Sequence, residues 1–418
     1  MTHNNTISKT LLLFLGFTFT TILGSFGQMS TTGKEFWLGF MDNNGSPSSQ
    51  DYGSIMITAN EASIGEIIYN GVIIPFELQI GEQFFYTIDE FDALHRNSDQ
   101  IESKGIYINS SGKVAVHAFN ERTVNFRSTD GTVILPVSSL GKDYYITSHF
   151  ELVTISPTTS GQNLNNQSTF LIVAVEDNTT IEITLKEAVA GKPANQPYTI
   201  ELNTGQSYQF KADLDLSGTR IRVIGDNAMD CNNIAVFGGN KWTAVGNCGE
   251  QNDHLFQQAF PVSTWGTEFL HVPLANRTSG ELLKIVSSKP NTVIDINGNT
   301  FNINEAGNFI QIPIGQNQAA SIVSNQPIST TVFARSQACN QPGINFDLGD
   351  PFMITYQSNN QVLTSAVFSP LRNRENLTFH FLNLITQTND TNLTFLNGQN
   401  INDQFQPFPF NPNYSFAQ

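Results

Sequence analysis

The stretch LPVSSLGKDY at residues 135–144 decides the fold, because it returns as FPVSTWGTEF at residues 260–269. A shorter form of the same start, GKEF, stands at residues 33–36. Each copy opens a run in which apolar and polar residues alternate, which is typical of a β-strand with one buried face. Repeats of this length indicate one structural unit used several times. The sequence therefore predicts three β units, each beginning near the glycine of its copy: Gly33, Gly141 and Gly266.

Hairpin turns recur at matching places within these units. Asn70-Gly71 in the first unit and Asn297-Gly298 in the third each separate two short β-branched runs, and Asn397-Gly398 stands in the same place near the C-terminus. Asn-Gly is a strong hairpin signal because both residues tolerate the positive φ of a tight turn. The second unit has a longer loop from Lys186 to Pro197 instead. Each unit thus contains about eight short strands, as an antiparallel β-sandwich does.

The predicted architecture is all-β, with tandem antiparallel β-sandwich repeats. A β-propeller-like arrangement is the alternative, but a propeller blade needs only about 40–45 residues and these repeats are much longer. We divide the chain into a signal peptide at 1–28, β units at 29–137, 138–262 and 263–367, and a partial fourth β unit at 368–418. A partial unit leaves a sheet edge uncovered, which proteins avoid. Either these strands complete the third unit or the chain is a fragment of a longer protein, and we favour the fragment.

The N-terminus predicts export. Lys9 is followed by an apolar run at residues 11–23 and then by small residues up to Gln28, which is the layout of a secretory signal peptide. The run is shorter than the roughly 20 residues of a membrane span. We expect cleavage near Gln28, no transmembrane segment in the remaining chain, and a secreted or cell-surface protein.

Export places the three cysteines in an oxidising compartment, where disulfides form. Cys231 and Cys248 close a short loop that stabilises by about 3 kcal/mol if their Cα atoms come within bridging distance. This pairing leaves Cys339 without a partner. Three buried, reduced thiols are the alternative.

The net charge and the sequence motifs limit the classes of function that this chain can have. Lys and Arg total 20 against 36 Asp and Glu, a net charge of −16, which has the wrong sign for holding phosphate backbones. We expect no nucleic-acid partner. The sequence also lacks the H-E-x-x-H, G-x-S-x-G and Walker patterns of common enzyme sites. We expect no enzyme, and no catalytic, cofactor or metal-binding residues.

For several weaker candidate catalytic and metal-binding residues we favour a structural role. An acid beside an imidazole, as in Asp253-His254, orients or activates the ring in some catalytic sites, but this pair stands next to the repeat start and is expected to pin the units together. Two strand histidines are expected to be core or edge residues rather than ligands. A DNNG stretch at 42–45 resembles part of a calcium loop but lacks the closing Glu. The two strand histidines are His117 and His271. The carboxylates of an alternative glycosidase site are Glu176, Asp177, Asp213 and Asp215.

Three stretches carry a family resemblance: CNNIAVFGGNK at 231–241, DHLFQQ at 253–258 and PVSTWG at 261–266. They are similar to the N-terminal domain family of IgG Fc-binding protein, which also occurs in large secreted or surface proteins of Bacteroidetes, ahead of gliding-motility-associated modules. The resemblance covers about Gly33 to Pro370. Trp242 and Asn252 stand where the family tends to have cysteines, so a disulfide common there is expected to be absent here.

The resemblance implies a secreted or cell-surface binding and adhesion module without enzymatic activity. Its ligand is expected to be a protein or a glycan at a cell surface or in a matrix. Nothing in the residues identifies an immunoglobulin site, and the binding residues are unknown. We expect loops at the ends of the units to do the binding. A structural spacer of a large surface protein is one alternative, and a carbohydrate-active enzyme or glycan-binding module is the second.

Overall fold

The computed structural model describes residues 29–43, 51–122, 128–151, 166–225, 232–248, 252–340, 350–368 and 380–418. The predicted signal peptide lies outside these ranges. The described chain is built from antiparallel strands, with a single turn of α-helix, α1 (Glu90–Ala93), which confirms the all-β prediction. Within these ranges, no helix is both long and apolar enough to cross a bilayer.

The first unit is a curled sheet organised around one long strand, β7. Along its first half β7 pairs with β1 and β3, and along its second half with β2 and β8. The two halves, β4-β3-β7-β1 and β5-β2-β7-β8, enclose a core that includes Phe36, Ile57 and Val116. The strands are β1 (Thr32–Leu38), β2 (Asp51–Ala59), β3 (Ser63–Tyr69), β4 (Val72–Leu78), β5 (Gln83–Asp89), β6 (Gln100–Glu102), β7 (Ile106–Arg122) and β8 (Ser128–Ile134).

The second unit repeats this order with two separate sheets. They are β12-β11-β14-β9 and β16-β15-β10-β13, so β14 and β15 take the places of the two halves of β7. The first unit adds β6 to the free edge of β13. The strands are β9 (Asp143–Tyr145), β10 (Ser168–Ala174), β11 (Thr179–Thr184), β12 (Pro197–Leu202), β13 (Ser207–Ala212), β14 (Arg220–Val223), β15 (Ile234–Thr243) and β16 (Asp253–Gln258).

The third unit returns to the pattern of the first. Its long strand β22 pairs first with β17 and β19 and then with β18 and β23, around a core that includes Leu283, Ile322 and Val332. The strands are β17 (Gly266–His271), β18 (Glu281–Ser287), β19 (Thr292–Ile296), β20 (Asn299–Ile303), β21 (Phe309–Ile314), β22 (Ala320–Ala334) and β23 (Met353–Thr355). The same strand order thus occurs three times, while the boundaries we assigned to the units stay a prediction.

A smaller C-terminal segment packs against the third unit, where Phe408 shares a buried apolar cluster with Leu270 and Ala319. It has a three-stranded sheet, β24-β28-β27, and a hairpin, β25-β26, closed by Asn397-Gly398. The strands are β24 (Leu384–Gln387), β25 (Phe395–Leu396), β26 (Gln399–Asn400), β27 (Gln406–Pro407) and β28 (Tyr414–Ala417). That this segment is a partial fourth unit stays a prediction.

Neighbouring units meet through the same turn. The turn at Gly205 in the second unit lies against Trp37 of the first, and its carbonyl accepts a hydrogen bond from the Gly105 N–H at 3.1 Å. The turn at Gly307 in the third unit lies against Tyr145 of the second in the same way. Both glycines have positive φ, +73° and +79°, and a side chain at either position would press on the aromatic ring. These contacts fix how each unit sits on the one before it.

Strand β8 of the first unit also runs beside β16 of the second. Every second side chain of β8 accepts a hydrogen bond from every second backbone N–H of β16: Ser128 from His254 (2.7 Å), Asp130 from Phe256 (2.9 Å) and Thr132 from Gln258 (2.9 Å). Because a strand presents alternate side chains to the same side, three polar residues at this spacing satisfy an edge that would otherwise be left without partners.

The predicted Cys231–Cys248 disulfide is wrong, because Cys248 is bonded to Cys339, with 5.0 Å between the Cα atoms. Cys231 lies outside the described residues. A turn at Gly246 and Asn247, both at positive φ, reverses the chain after β15 and brings Cys248 to the 3-10 turn Gln337–Cys339 of the third unit. The spacing of the cysteines favoured a short local loop, but the bond joins two units that are adjacent only in the fold.

Candidate binding surface

The outward side of the half-sheet β4-β3-β7-β1 carries an apolar row that crosses all four strands. Trp37 is paired with Tyr107, Tyr107 with Ile68, and Ile68 with Ile73. Residues on either side of this row in the sequence, such as Phe36 and Ile108, point inward and are fully buried. The row therefore lies on the side away from the core. The rings of Trp37 and Tyr107 are 4.9 Å apart.

A polar row lies directly beside the apolar one. It runs Glu35, Asn109 and Glu66 across β1, β7 and β3, and Pro75, which is apolar, takes the corresponding position on β4. The Tyr107 hydroxyl donates to the Glu35 carboxylate at 3.1 Å, and the Asn109 amide donates to Glu66 at 2.9 Å. Partial burial, followed by the Glu35 carboxylate, raises the pKa of Tyr107 to about 12, so its hydroxyl stays protonated. We call the two rows, with Ile64 and Glu77 at their border, the first-unit face.

The first-unit face is apolar and acidic, and it is open toward β3 and β4, while the Gly205 turn covers Trp37 at its other end. Ile73 is 57% exposed and Ile64 is 64% exposed, although both are large apolar residues. No ion pair within the described ranges involves Glu35, Glu66 or Glu77. Exposed apolar side chains next to carboxylates without cations are typical of a surface that meets a partner.

The matching face of the second unit has a different chemistry. On the outward side of β9, β14 and β11, Arg220 pairs with Asp143 at 2.7 Å and Arg222 pairs with Glu182 at 2.7 Å. Thr199 of β12 stands opposite Glu182. None of the described residues between 143 and 258 is a large apolar side chain that is exposed. This second-unit face is polar and internally neutralised.

A shallow groove continues the first-unit face past the β3–β4 turn. It is lined by Asn70, Phe91, Asp92, Glu102 and Lys104, among others. Asn70 donates to Asp92 at 3.1 Å across its wall, and the Lys104 ammonium donates to the Leu94 carbonyl at 2.5 Å. Phe91 is 78% exposed. The groove thus adds an exposed ring and two carboxylates to the same end of the molecule.

Asp253 and His254 lie in β16 and are buried between the first two units. Burial, followed by the nearby Asp350 carboxylate, raises the pKa of Asp253 well above its ordinary value, and burial lowers the pKa of His254 to about 4. Asp253 accepts a hydrogen bond from the Thr129 N–H at 2.8 Å. The pair therefore joins units and faces no open cleft.

The carboxylates of the alternative glycosidase site do not converge. Three of them hold parts of the second unit, and Asp215 joins the second unit to the third. Glu176 accepts from the Asn233 N–H (2.8 Å), Asp177 from the Thr204 N–H (2.9 Å), Asp213 from Gln167 (2.9 Å), and Asp215 from the Lys284 ammonium (2.6 Å). Each of these carboxylates thus has a structural partner of its own.

Asp42 of the calcium-like stretch is held by protein cations instead. Arg96, Lys211 and Lys241 approach it to 2.7, 2.7 and 3.0 Å. Burial by itself would raise the pKa of Asp42, but the three cations together lower it below its ordinary value. Three positive charges on one carboxylate disfavour a metal cation there. Asn44 and Gly45 lie outside the described residues.

The two strand histidines occupy the positions expected of core or edge residues. His117 lies in β7, and burial lowers its pKa to about 4. His271 is buried in β17, with Nδ1 2.9 Å from the Tyr356 hydroxyl and Nε2 3.3 Å from Glu281. Among the described residues, no group of three or more His, Cys, Asp and Glu is arranged to hold a metal ion.

Sequence reasoning missed the first-unit face, although a signal was present. Residues 67–69 and 72–74 read IIY and VII on either side of the Asn70-Gly71 turn, so apolar residues fall on both faces of this hairpin. In the third unit the matching hairpin, TVIDI before the turn and NTFNI after it, has polar residues at most of its outward positions, with Val293 as an apolar exception. An unbroken apolar run in a strand whose outer side is not covered indicates a surface for a partner.

Comparison with known proteins identifies relatives. A family model described as IgGFc binding protein matches residues 130–418. A human protein described as IgGFc-binding protein is 22% identical over 251 residues, which is 58% of this chain but 4% of that protein. The chain therefore spans a small part of this relative. The first-unit face, at residues 35–109, precedes the range matched by the family model.

Two solved structures were also found, without sufficient similarity to support an argument. One is described as concerning host cell surface retention of a 1.5-MDa bacterial ice-binding adhesin; it is 12% identical, covers 71% of this chain and 86% of that chain, and has a TM-score of 0.12. The other is described as a Ca2+-stabilized adhesin that helps an Antarctic bacterium bind ice; it is 9% identical, covers 78% and 73%, and has a TM-score of 0.13.

Proposed function

Since the chain belongs to the IgGFc-binding protein family, we propose that it is a secreted or cell-surface module that binds a protein partner and has no enzymatic activity. The observation that carries this proposal is the first-unit face, an apolar row that ends in the exposed Ile73 and lies beside carboxylates that no ion pair among the described residues neutralises. The family supports a protein as the ligand. We do not assign immunoglobulin as that protein, because the shared stretches contain no identified Fc site.

The contacts of the candidate acid–base residues support the proposed lack of enzymatic activity. A general acid or base must reach a substrate in an open site. Asp253 and His254 are buried between units, and Asp215 is occupied by Lys284. These groups stabilise the fold in the proposed module, and binding is left to the surface.

The compartment remains part of the proposal. The signal-like sequence at 1–28 and a disulfide between two units both fit an exported protein. A cell-surface protein of Bacteroidetes, carrying this module ahead of gliding-motility-associated modules, is the setting that we propose from the sequence resemblance.

A glycan ligand is the second candidate, and one observation favours it. The Trp37 and Tyr107 rings lie 4.9 Å apart on one sheet face, with the Asn109 amide and the Glu35 carboxylate beside them. Aromatic rings with neighbouring polar groups suit sugar rings as well as protein side chains. A purely structural spacer needs no such surface.

Binding measurements on the purified chain test these alternatives. The protein is passed over immobilised IgG Fc fragment, fibrinogen and lysozyme, and over a glycan array. The proposal predicts saturable binding to a protein that Ile73→Asp weakens and the matched change Thr199→Asp on the second-unit face does not. Binding only to glycans would support the second candidate, and binding to nothing by a folded chain would support a spacer. Hydrolysis of an arrayed glycan would contradict the non-enzymatic assignment.

A further inference from the structure

We infer that the first-unit face takes a cationic, partly apolar segment of the partner protein, laid across the sheet as an extended chain. This inference rests on the proposed binding function and names the chemistry of the partner. Nothing in the family match supplies it, because the face precedes residue 130.

Charge complementarity selects a cationic partner. Glu35, Glu66 and Glu77 lie beside or at the border of the apolar row, and no ion pair of the described chain neutralises them. On the second-unit face, two arginines neutralise the carboxylates. The whole chain carries −16, so its field also attracts cations from a distance. An acidic partner would bring like charges together on this face.

The dimensions of the apolar row suit an extended segment. Neighbouring strands lie about 4.8 Å apart, so a row across four strands spans roughly 14 Å, and an extended chain covers that length in about four residues. In a segment that alternates apolar and basic residues, the apolar side chains lie about 6.8 Å apart, so two of them fit along the row formed by Tyr107, Ile68 and Ile73. Its basic side chains then reach the carboxylates of the adjacent row.

The partner binds the face of the sheet and not its edge. Strand β4 is the outer strand of this half-sheet, and Pro75 stands in its middle. Proline has no backbone N–H, so a strand added along this edge would lack a hydrogen bond there. Edge prolines are a common protection against strand addition.

The groove extends the same site beyond the β3–β4 turn. Asn70 belongs to that turn and to the groove, so the groove is continuous with the end of the apolar row. Its exposed Phe91 and the Asp92 carboxylate present the same combination of apolar and acidic groups, whereas the Glu102 carboxylate already lies 3.8 Å from the Lys104 ammonium. A cationic segment longer than the row therefore has a continuation along the groove.

The test uses a labelled nonapeptide of alternating Lys and Leu, and the same peptide with Glu in place of Lys. Fluorescence anisotropy with the full chain is expected to show saturable binding of the Lys peptide, weaker at high salt, and no binding of the Glu peptide. The double variant Glu66→Lys with Glu77→Lys is expected to weaken binding at least about tenfold, because two attractive charges become repulsive. The matched variant Glu187→Lys with Glu201→Lys makes the same charge change on the second unit and is expected to bind like the unaltered chain.

The outcomes separate this inference from the proposed function. Equal binding of both peptides, or equal loss in both double variants, would overturn the cationic assignment and this face as its site. If a protein of the binding panel is still bound by the Glu66→Lys, Glu77→Lys variant, the chain is a binding module but this inference fails. If no panel protein is bound at all, the proposed function fails first. Thermal unfolding of each variant verifies that it is folded.

Discussion

The first and second units share a strand order and differ in their outward faces. The first-unit face has an apolar row ending in the exposed Ile73, with Glu66 beside it. The second-unit face has the Arg220–Asp143 and Arg222–Glu182 pairs in the corresponding place. Since the fold is the same, the difference lies only in which residues the strands carry outward. A repeat can therefore keep its core and acquire a binding surface by changing alternate residues of four strands.

The second unit also gives much of its surface to its neighbours. Strand β10 is buried on both sides, because Phe170 and Ile172 join the core of the second unit while Leu171 and Val173 join that of the first. Strand β6 covers the edge of its sheet. The second unit thus holds the molecule together, and the first-unit face is left for a partner. Variants of the unit junctions and of the two faces test this difference, and the largest effect on stability is expected at the junctions.

The disulfide between the second and third units is expected to have the largest effect. Replacing both Cys248 and Cys339 by Ser releases a bond between residues 91 apart in sequence. Loop-closure entropy for a loop of that length predicts a loss of about 4.6 kcal/mol. Urea unfolding of the variant and of the oxidised chain measures the difference, and equal midpoints would show that the bond contributes nothing.

Loss of the buried ion pair between these units is expected to have the second-largest effect on stability. Lys284 is fully buried and donates to Asp215 and to the Ser148 carbonyl, each at 2.6 Å. Asp215→Ala leaves the ammonium buried without its partner and is expected to cost about 3 kcal/mol. Asp213→Ala, two residues away on an exposed side chain, serves as the control and is expected to change unfolding by less than about 0.5 kcal/mol. Similar losses in both variants would contradict this role.

Acid is expected to weaken the junction of the first two units. Burial lowers the pKa of His95 from 6.5 to about 4, and its ring nitrogens lie 2.7 Å from the Phe40 carbonyl and the Ser207 hydroxyl. Because the folded-state pKa is depressed, the stabilisation is present above pH 6.5 and is lost as the pH falls toward 4. Linkage predicts a loss of about 2 to 3 kcal/mol over this range. In His95→Asn, the free energy of unfolding measured in urea is expected to fall by that much less between pH 6.5 and pH 4. An unchanged pH dependence would refute the assignment.

Substitutions on the two outward faces are expected to change stability least. Ile73 and Thr199 are exposed, so Ile73→Asp and Thr199→Asp are each expected to change the free energy of unfolding by less than about 0.5 kcal/mol. Thermal unfolding of the two variants beside the unaltered chain measures this. A large loss for Ile73→Asp alone would mean that the apolar row supports the fold instead of binding a partner.

The sequence predicted the repeating elements because their signals are local. The Asn70-Gly71 and Asn297-Gly298 turns close hairpins as expected, with positive φ at each residue. The LPVSSLG motif and its copy form matching 3-10 turns, Val137–Ser139 and Val262–Thr264. Such features depend on a few neighbouring residues, so a single sequence is sufficient to find them.

The contacts between units could not be predicted in the same way. Cys248 meets Cys339 only because a turn and two neighbouring units bring them together, and no spacing rule contains that information. From the sequence we expected binding at loops, and this stays a prediction. The surface that we propose lies on strands, where recognising it requires knowing which side of the hairpin stays uncovered after the units have packed.

Hydroxyl-radical footprinting of the chain with and without the Lys-Leu nonapeptide tests the central claim most directly. The account predicts that labelling of Ile64, Ile73 and Tyr107 falls when the peptide is added. Labelling of Leu393 and Phe395, which are exposed on the C-terminal segment, is predicted to stay unchanged. Protection of the C-terminal segment with no change on the first-unit face would contradict the claim that this face is the binding surface.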